Sequence, residues 1–225
     1  MNVKGFFQGK KNRKKQSSTR KLQIISKTAP FQYVEAYKTL RTNLNFMAVS
    51  NQYQKIVVTS SIPGEGKSNV AINLCVSLAE TGKKVLLIDC DLRKPVLHKY
   101  LRITRRAQGL TNLLSGEAAP ADVVVRFSDL HFDVITAGIV PPNPAELLGS
   151  ARMGEILQIL GAQYDYIIMD TPPASVVTDA AVLGTLADGV LFVVSQGNAT
   201  IEAAQLAKKN LESTHTNIIG AVLNG

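Results

Sequence analysis

The chain has 225 residues, of which 45% are hydrophobic and 19% are charged. This balance is typical of a folded domain and excludes a disordered, collagen-like or disulfide-rich protein. The formal charge of +8 is unevenly distributed, because residues 1–34 hold nine of the 25 Lys and Arg residues and no Asp or Glu. The remainder of the chain is therefore close to neutral.

Residues 1–29 differ in composition from the rest of the chain. Lys and Arg cluster between residues 10 and 21 among Ser, Thr, Gln and Asn. Such a segment is too polar to bury a core, and we predict a flexible basic arm over residues 1–29. The arm either keeps the protein soluble or binds an anionic surface. We favour an anionic membrane as that surface and do not expect nucleic acid to be a partner.

The chain contains no run of about 18 apolar residues, the length of a membrane span, and its N-terminus lacks the apolar core of a signal peptide. We therefore expect a cytoplasmic protein, recruited to the inner face of the plasma membrane. Cys75 and Cys90 form no CxxC pair and have no nearby His, so we predict two buried thiols rather than a disulfide or a zinc site.

After Pro30 the sequence predicts a helix over residues 30–48. Its apolar residues recur at steps of three and four positions: Val34, Tyr37, Leu40, Leu44 and Met47. Charged residues occupy another face of the same helix.

From residue 55 onward, short apolar runs alternate with helical segments. Strands are predicted at residues 55–60, 84–89, 132–136, 166–170, 189–195 and 217–224. Helices are predicted at residues 68–80, 150–160, 179–186 and 200–213. The strands are continuously apolar, as strands buried on both faces must be. This alternation predicts an α/β sandwich with a mainly parallel central sheet, folded as one domain over residues 30–225.

The first predicted strand ends in a glycine-rich turn that leads directly into a helix. The turn consists of Pro63, Gly64, Glu65, Gly66, Lys67 and Ser68, and Asn69 follows it. Glycines let consecutive N–H groups converge on phosphate oxygens, and the helix N-terminus adds its positive dipole. We predict a phosphate-binding loop in which Lys67 contacts the β and γ phosphates and the Ser68 hydroxyl binds Mg²⁺. The departure from the strict pattern is Ser61, where the first glycine is usual; the alternative is a tight turn without a ligand.

Acidic residues follow two of the other predicted strands. Asp89 and Asp91 end the second strand, and Asp170 ends the strand at 166–170. The carboxyl ends of parallel strands meet at one edge of a sheet, which is where ligands bind. We therefore predict a Mg²⁺-nucleotide site, in which Asp170 and Asp89 hold Mg²⁺ directly or through water and Asp89 or Asp91 accepts a proton.

Five motifs in this order resemble the bacterial tyrosine kinases of capsular and exopolysaccharide synthesis, in their stand-alone cytoplasmic form. The motifs are EAYKTLR at 35–41, PGEGKS at 63–68, LLIDCDLRKP at 86–95, PPNPAELL at 141–148 and IIMDTPP at 167–173. The resemblance implies a P-loop NTPase-like sandwich and an ATP- and Mg²⁺-dependent protein tyrosine kinase. It also implies that Lys67, Asp89 and Asp91 are catalytic and that Asn224 contacts adenine.

The resemblance further implies a homo-oligomeric ring, joined through a helix motif that Glu35, Lys38 and Arg41 match here. Lys38 stands where the family has arginine. Lysine keeps the positive charge but cannot form the two parallel hydrogen bonds of a guanidinium, so we predict weaker assembly. The implied partners are protein tyrosine substrates, a membrane-spanning polysaccharide co-polymerase that activates the kinase, and an opposing phosphotyrosine phosphatase. The family's C-terminal tyrosine cluster is not among the six tyrosines of this chain.

Two other functions remain as alternatives. A partition-type switch ATPase of the septum-site class would share the fold, but its loop usually carries an extra early lysine, and none lies between Lys55 and Lys67. A non-catalytic nucleotide-binding scaffold would explain the missing tyrosine cluster, but the presence of Lys67 and all three Asp residues argues against it.

Overall fold

A computed structural model of the chain describes residues 23–26, 28–48, 53–103 and 108–225. The seven strands in these residues are β1 (Lys55–Ser60), β2 (Val85–Asp89), β3 (Val124–Phe127), β4 (Phe132–Ile135), β5 (Tyr166–Asp170), β6 (Gly189–Ser195) and β7 (Ile218–Asn224). The longer helices are α1 (Phe31–Ala48), α2 (Lys67–Ala79), α7 (Ala151–Gly161), α8 (Asp179–Gly184) and α9 (Ile201–Glu212). Four short helices are α3 (Leu97–Tyr100), α4 (Leu110–Leu114), α5 (Pro120–Val123) and α6 (Pro144–Leu148).

The strands form one sheet in the order β3-β4-β2-β5-β1-β6-β7. Every neighbouring pair is parallel except β3 and β4, which form an antiparallel pair at one edge. The strand that carries the phosphate loop, β1, lies next to β5, and β5 lies next to β2. The ends of these three strands are therefore neighbours, as the sequence predicted.

Helices cover both faces of the sheet. Along β1, Val57 packs in a core with α4 and α6 to α9, whereas Ile56 and Val58 pack in a second core with α1 and α2. Side chains of a strand alternate between faces, so apolar residues at consecutive positions are needed to fill both cores. The predicted α/β sandwich with a mainly parallel sheet is confirmed.

The structure corrects the sequence prediction at the two edges of the sheet. The antiparallel strand β3 was missed, because its four residues are too few to show a period. The last predicted strand, β7, is present but is not buried on both faces: Leu223 is 70% exposed. Ala221 and Leu223 lie two residues apart on the same face of β7 and are both exposed, so the described part of the chain leaves that face open at this edge.

Part of the segment predicted as a basic arm contacts the folded domain. Residues 23–26 pack on the domain, where Ile25 is buried and its N–H donates to Asn73 Oδ1 on α2 at 2.7 Å. The Asn73 amide donates in turn to the carbonyl oxygen of Gln23 at 2.8 Å. Residues 23–26 of the predicted arm are therefore in contact with the domain, and residues 1–22 lie outside the described part of the chain, so the arm predicted there stays a prediction.

Within the described ranges, no helix is both long enough and apolar enough to span a membrane.

Candidate nucleotide and catalytic site

The loop between β1 and α2 has the geometry of an anion cradle. Gly64 and Gly66 adopt left-handed backbone conformations with φ of 86° and 85°. Gly66 is the N-cap of α2, and no side chain caps the first turn, so the N–H groups of that turn remain available for a ligand. A Cβ at Gly66 would displace the side-chain amide of Asn224, and the left-handed backbone at this position also disfavours any residue other than glycine.

Lys67 lies at the centre of the predicted site. Its ammonium is 3.3 Å from Asp170 Oδ1, 3.4 Å from Asp91 Oδ2 and 3.3 Å from Ser68 Oγ. Burial alone would lower the pKa of Lys67, but the neighbouring carboxylates outweigh burial and raise the pKa above its usual value. Lys67 therefore stays charged, and it links the phosphate loop to the ends of β2 and β5.

The three predicted carboxylates lie together at the carboxyl ends of β2 and β5. Asp89 and Asp170 are fully buried and are paired in register across these strands. Asp89 accepts hydrogen bonds from the N–H groups of Asp91 and Leu97, at 3.3 and 3.2 Å. Asp91 accepts the N–H of Lys94 at 2.9 Å through the oxygen that does not face Lys67.

This cluster holds more negative charge than Lys67 alone neutralises. Burial, together with the nearby Asp170, raises the pKa of Asp89 to about 8. Burial also raises the pKa of Asp170, although Lys67 opposes it. A second cation at this position would relieve both effects.

A divalent cation fits the residues that are present. Asp170 Oδ2 is buried and, within the described residues, has no hydrogen-bond partner. In the same part of the chain, no three His, Cys, Asp or Glu side chains could hold a metal by themselves. This is the pattern of a Mg²⁺ site that uses one or two carboxylates, a hydroxyl, water and substrate phosphates.

Two residues of the predicted phosphate loop direct their side chains elsewhere. Glu65 is fully buried and its carboxylate binds groups of the protein, so only its main chain faces the loop. Asn69 accepts hydrogen bonds from Asn73 and Tyr33 on the side of residues 23–26. These contacts leave only the main chains of Glu65 and Asn69 for the cofactor, and the predicted binding of the cofactor by both residues stays a prediction.

Asn224, at the end of β7, lies against the phosphate loop. Its side-chain amide donates to the carbonyl oxygen of Glu65 at 2.8 Å. The residue is thus brought to the site as predicted, although its contact with adenine stays a prediction.

The sequence did not reveal the partner of Arg93. Its guanidinium binds Asp179, at the start of α8, and Asp179 is fully buried. An Asp at the start of a predicted helix is more often a cap, so no local signal identified this pair.

The predicted oligomerisation residues lie on α1 and are partly used within the chain. Arg41 donates to the carbonyl oxygen of Ser77 on α2 and lies 3.8 Å from Glu80. Lys38 and Glu35 form a half-exposed ion pair with an N–O distance of 2.7 Å. Arg41 therefore fixes α1 to α2, and Lys38 and Glu35 are left near the surface.

The two cysteines are both buried, as predicted.

An open depression of about 630 Å³ lies at the opposite edge of the sheet, near the amino ends of the parallel strands. Its lining residues include Tyr53, Lys83 and Tyr164. It contains no residue of the phosphate loop or the acidic cluster, so it is separate from the site described above.

A phosphate loop at a helix N-terminus, with a buried lysine and carboxylates at the ends of adjacent strands, defines a P-loop nucleotide-binding protein. A family model described as "AAA domain" matches residues 53–219. The tyrosine-protein kinase YwqD of Bacillus subtilis is 42% identical over 95% of this chain and 90% of its own length.

The tyrosine-protein kinase etk of Escherichia coli is 38% identical over 85% of this chain. Etk is longer, and the matched region covers 26% of its length. The solved etk kinase domain superposes with a TM-score of 0.82 at 36% identity, covering 90% of this chain and 82% of the other. The chain therefore belongs to the bacterial tyrosine-protein kinase family, and the predicted resemblance is confirmed.

The partition-type alternative is less well supported. The septum site-determining protein MinD of Pyrococcus horikoshii, solved with Mg-ADP, superposes with a TM-score of 0.64, covering 76% of this chain and 69% of the other. At 24% identity this likeness extends to the fold alone.

Proposed function

We propose that this kinase transfers the γ-phosphoryl group of ATP, bound with Mg²⁺, to tyrosine hydroxyls of proteins that control capsule or exopolysaccharide synthesis and export. The observation that carries the proposal is the position of Lys67. It joins a phosphate loop with uncapped N–H groups to the carboxylates of Asp91 and Asp170, and among the described residues the buried Oδ2 of Asp170 has no hydrogen-bond partner.

Each residue of the site has a separate task in this proposal. The N–H groups of Gly66 and of the first turn of α2 bind phosphate oxygens, and Lys67 stabilises the charge that develops on the transferred group. The Ser68 hydroxyl, Asp170 and Asp89 hold Mg²⁺ directly or through water. The metal supplies charge neutralisation and in-line alignment of the phosphates.

The acceptor tyrosine must lose its proton during transfer, because the pKa of free tyrosine is about 10. Asp89 and Asp91 are the candidate bases. Asp91 is already engaged by Lys67 and by the Lys94 amide.

Nucleotide binding tests the site directly. We expect wild-type protein to bind ATP in the presence of Mg²⁺, measured by isothermal titration calorimetry, and Lys67→Met to lose that binding. Asp170→Asn should bind ATP without Mg²⁺ about as well as the wild type, but gain little when Mg²⁺ is added. Equal gains from Mg²⁺ in both proteins would remove Asp170 from the metal site.

The proposed partners follow from the family and from the surface of α1. A ring of identical subunits would use the exposed side of α1 around Glu35 and Lys38, with Arg41 holding that helix in place. A membrane-spanning co-polymerase would activate the kinase, and a phosphotyrosine phosphatase would reverse its action. Sedimentation of wild type and Glu35→Ala tests the ring.

The proposed location is the cytoplasmic face of the plasma membrane. The support is the charge of the N-terminal segment, since clustered Lys and Arg attract anionic lipid. Deleting residues 1–22 should reduce co-sedimentation with vesicles that contain anionic lipid, and should leave binding to neutral vesicles unchanged. Unchanged co-sedimentation with anionic vesicles would contradict this location.

A further inference from the structure

Glu65 lies inside the phosphate loop, and its side chain turns into the protein. The chain enters and leaves it through the two left-handed glycines, Gly64 and Gly66. The side chain has no exposed surface, although glutamate is rarely fully buried without a partner of opposite charge. Its orientation therefore requires an explanation other than solvent contact.

Three hydrogen-bond donors surround the carboxylate. Oε2 accepts the Ser61 hydroxyl at 2.6 Å and the Ile62 N–H at 2.8 Å. Oε1 accepts the N–H of Ser195, the last residue of β6, at 2.9 Å. These hydrogen bonds replace water around the carboxylate, and charge-assisted bonds of this kind are among the strongest in proteins.

A second contact ties the main chain of the same residue to β7. The Asn224 amide donates to the carbonyl oxygen of Glu65 at 2.8 Å. The N–H of Gln196, the residue after β6, donates to the Asn224 carbonyl oxygen at 2.9 Å, which joins the two strand ends. Side chain and main chain of Glu65 thus fasten the middle of the loop to neighbouring strands about 130 to 160 residues further along.

We propose that Glu65 is a positioning residue, which fixes the phosphate loop against the ends of β6 and β7 so that its N–H groups are pre-arranged for nucleotide. Ser61 belongs to the same unit, because its hydroxyl supplies a donor that glycine at this position would lack. The inference rests on the proposed nucleotide site. It adds that affinity for the phosphates depends on a side chain that does not touch them.

Glutamine cannot replace Glu65 without loss. Both oxygens of the carboxylate accept an N–H, and glutamine has only one oxygen. In either orientation its NH₂ group faces another N–H donor, which leaves a buried polar group unsatisfied. Glu65→Gln should therefore shift the loop, although it preserves the size of the side chain.

The test compares ADP binding in the presence of Mg²⁺ and steady-state kinetics of Glu65→Gln, Ser61→Ala and the wild type, all well below their melting temperatures. The matched control is Ile156→Val, a buried substitution on α7 that destabilises the fold without a contact to the loop. We expect Glu65→Gln to raise the Kd for ADP about tenfold or more, because small misplacements of binding groups have large effects. Ser61→Ala, which keeps the carboxylate, should raise it about threefold.

The loss should appear in KM for ATP more than in kcat, because the loop binds the phosphates before transfer as well as during it. The double variant should bind no more weakly than Glu65→Gln alone, since both changes interrupt one hydrogen-bonded unit. If Glu65→Gln does not fold, the effect of Ser61→Ala relative to Ile156→Val decides the question.

An unchanged Kd and KM in Glu65→Gln and Ser61→Ala, with a lowered melting temperature only, would overturn the inference and leave the nucleotide site intact. Absence of ADP binding by the wild type would instead overturn the proposed function, and this inference with it.

Discussion

The guanidinium of Arg93 binds the buried carboxylate of Asp179 through two parallel hydrogen bonds of 2.9 Å, from Nε and Nη2. Arg93 lies two residues after Asp91, and Asp179 is the first residue of α8. The pair therefore fastens the acidic segment after β2 to the helix that follows β5. The fork geometry requires arginine, because lysine has a single point charge.

We predict that Arg93→Ala lowers the free energy of unfolding by about 1–3 kcal/mol, since it leaves a buried carboxylate without its partner. Arg93→Lys should recover part of that loss. The measurement is urea denaturation, with Lys94→Ala, an exposed neighbour, as the control. Equal stability of Arg93→Ala and Lys94→Ala would show that the pair does not stabilise the fold.

Asp89 makes the stability of the nucleotide-free protein depend on pH. Its pKa is raised from 3.8 to about 8 in the folded state, so between these values the folded protein keeps a proton that the unfolded chain releases. The free energy of unfolding therefore falls as the pH rises through this range. We predict that the fall between pH 5 and pH 8 is smaller in Asp89→Asn, by about 2–4 kcal/mol.

Urea denaturation of both proteins at the two pH values, without nucleotide or metal, measures this difference. Parallel stability curves for wild type and Asp89→Asn would contradict the raised pKa. Asp89→Asn should also lose transfer activity. Asp89 would then be a residue that function requires but that lowers the stability of the nucleotide-free protein at high pH.

Most of the framework was predictable because it depends on local pattern. The strands β1, β5 and β6 lie where continuous apolar runs were found, since only strands covered on both faces need such runs. The loop and the Asp residues were predictable because a parallel sheet brings strand ends to one edge. The strand predicted at residues 217–224 is also present as β7, but its burial on both faces was not borne out, because Ala221 and Leu223 leave one face exposed.

The orientations of side chains were not predictable from the same patterns. Glu65 turns inward because Ser195, 130 residues away along the chain, offers it an N–H group. Asn69 and Arg41 likewise find their partners on other elements, at Tyr33 and at Ser77. Contacts of this kind depend on tertiary packing between distant parts of the chain. They leave no periodic pattern in the local sequence from which they could be predicted.

Arg41 is expected to stabilise the subunit itself as well as any assembly. Arg41→Ala removes its hydrogen bonds to the main chain and hydroxyl of Ser77, and should lower the free energy of unfolding by about 1–2 kcal/mol. Lys38→Ala, in the half-exposed pair with Glu35, should change it by less than about 0.5 kcal/mol. Hydrogen exchange of α1 in both variants distinguishes them, and equal exchange rates would show that Arg41 does not hold the helix.

Asn73 is expected to anchor residues 23–26. Asn73→Ala leaves the N–H of Ile25 without its partner and removes one of the two donors to the carbonyl oxygen of Gln23, whose other donor is the Tyr33 hydroxyl. It should lower the free energy of unfolding by about 2 kcal/mol. Proteolytic cleavage near Gln23 should become faster. Asn210→Ala, which removes one amide contact on α9, is the control. Unchanged cleavage in Asn73→Ala would show that residues 23–26 are held by other contacts.

The most direct test of the central claim is phosphoamino-acid analysis after incubation with γ-labelled ATP and Mg²⁺, with and without the cytoplasmic tail of a co-polymerase partner fused to the kinase. We predict label on tyrosine, in this chain or in added proteins, that disappears in Lys67→Met. Release of labelled phosphate without any phosphotyrosine would contradict the kinase assignment and favour a switch ATPase.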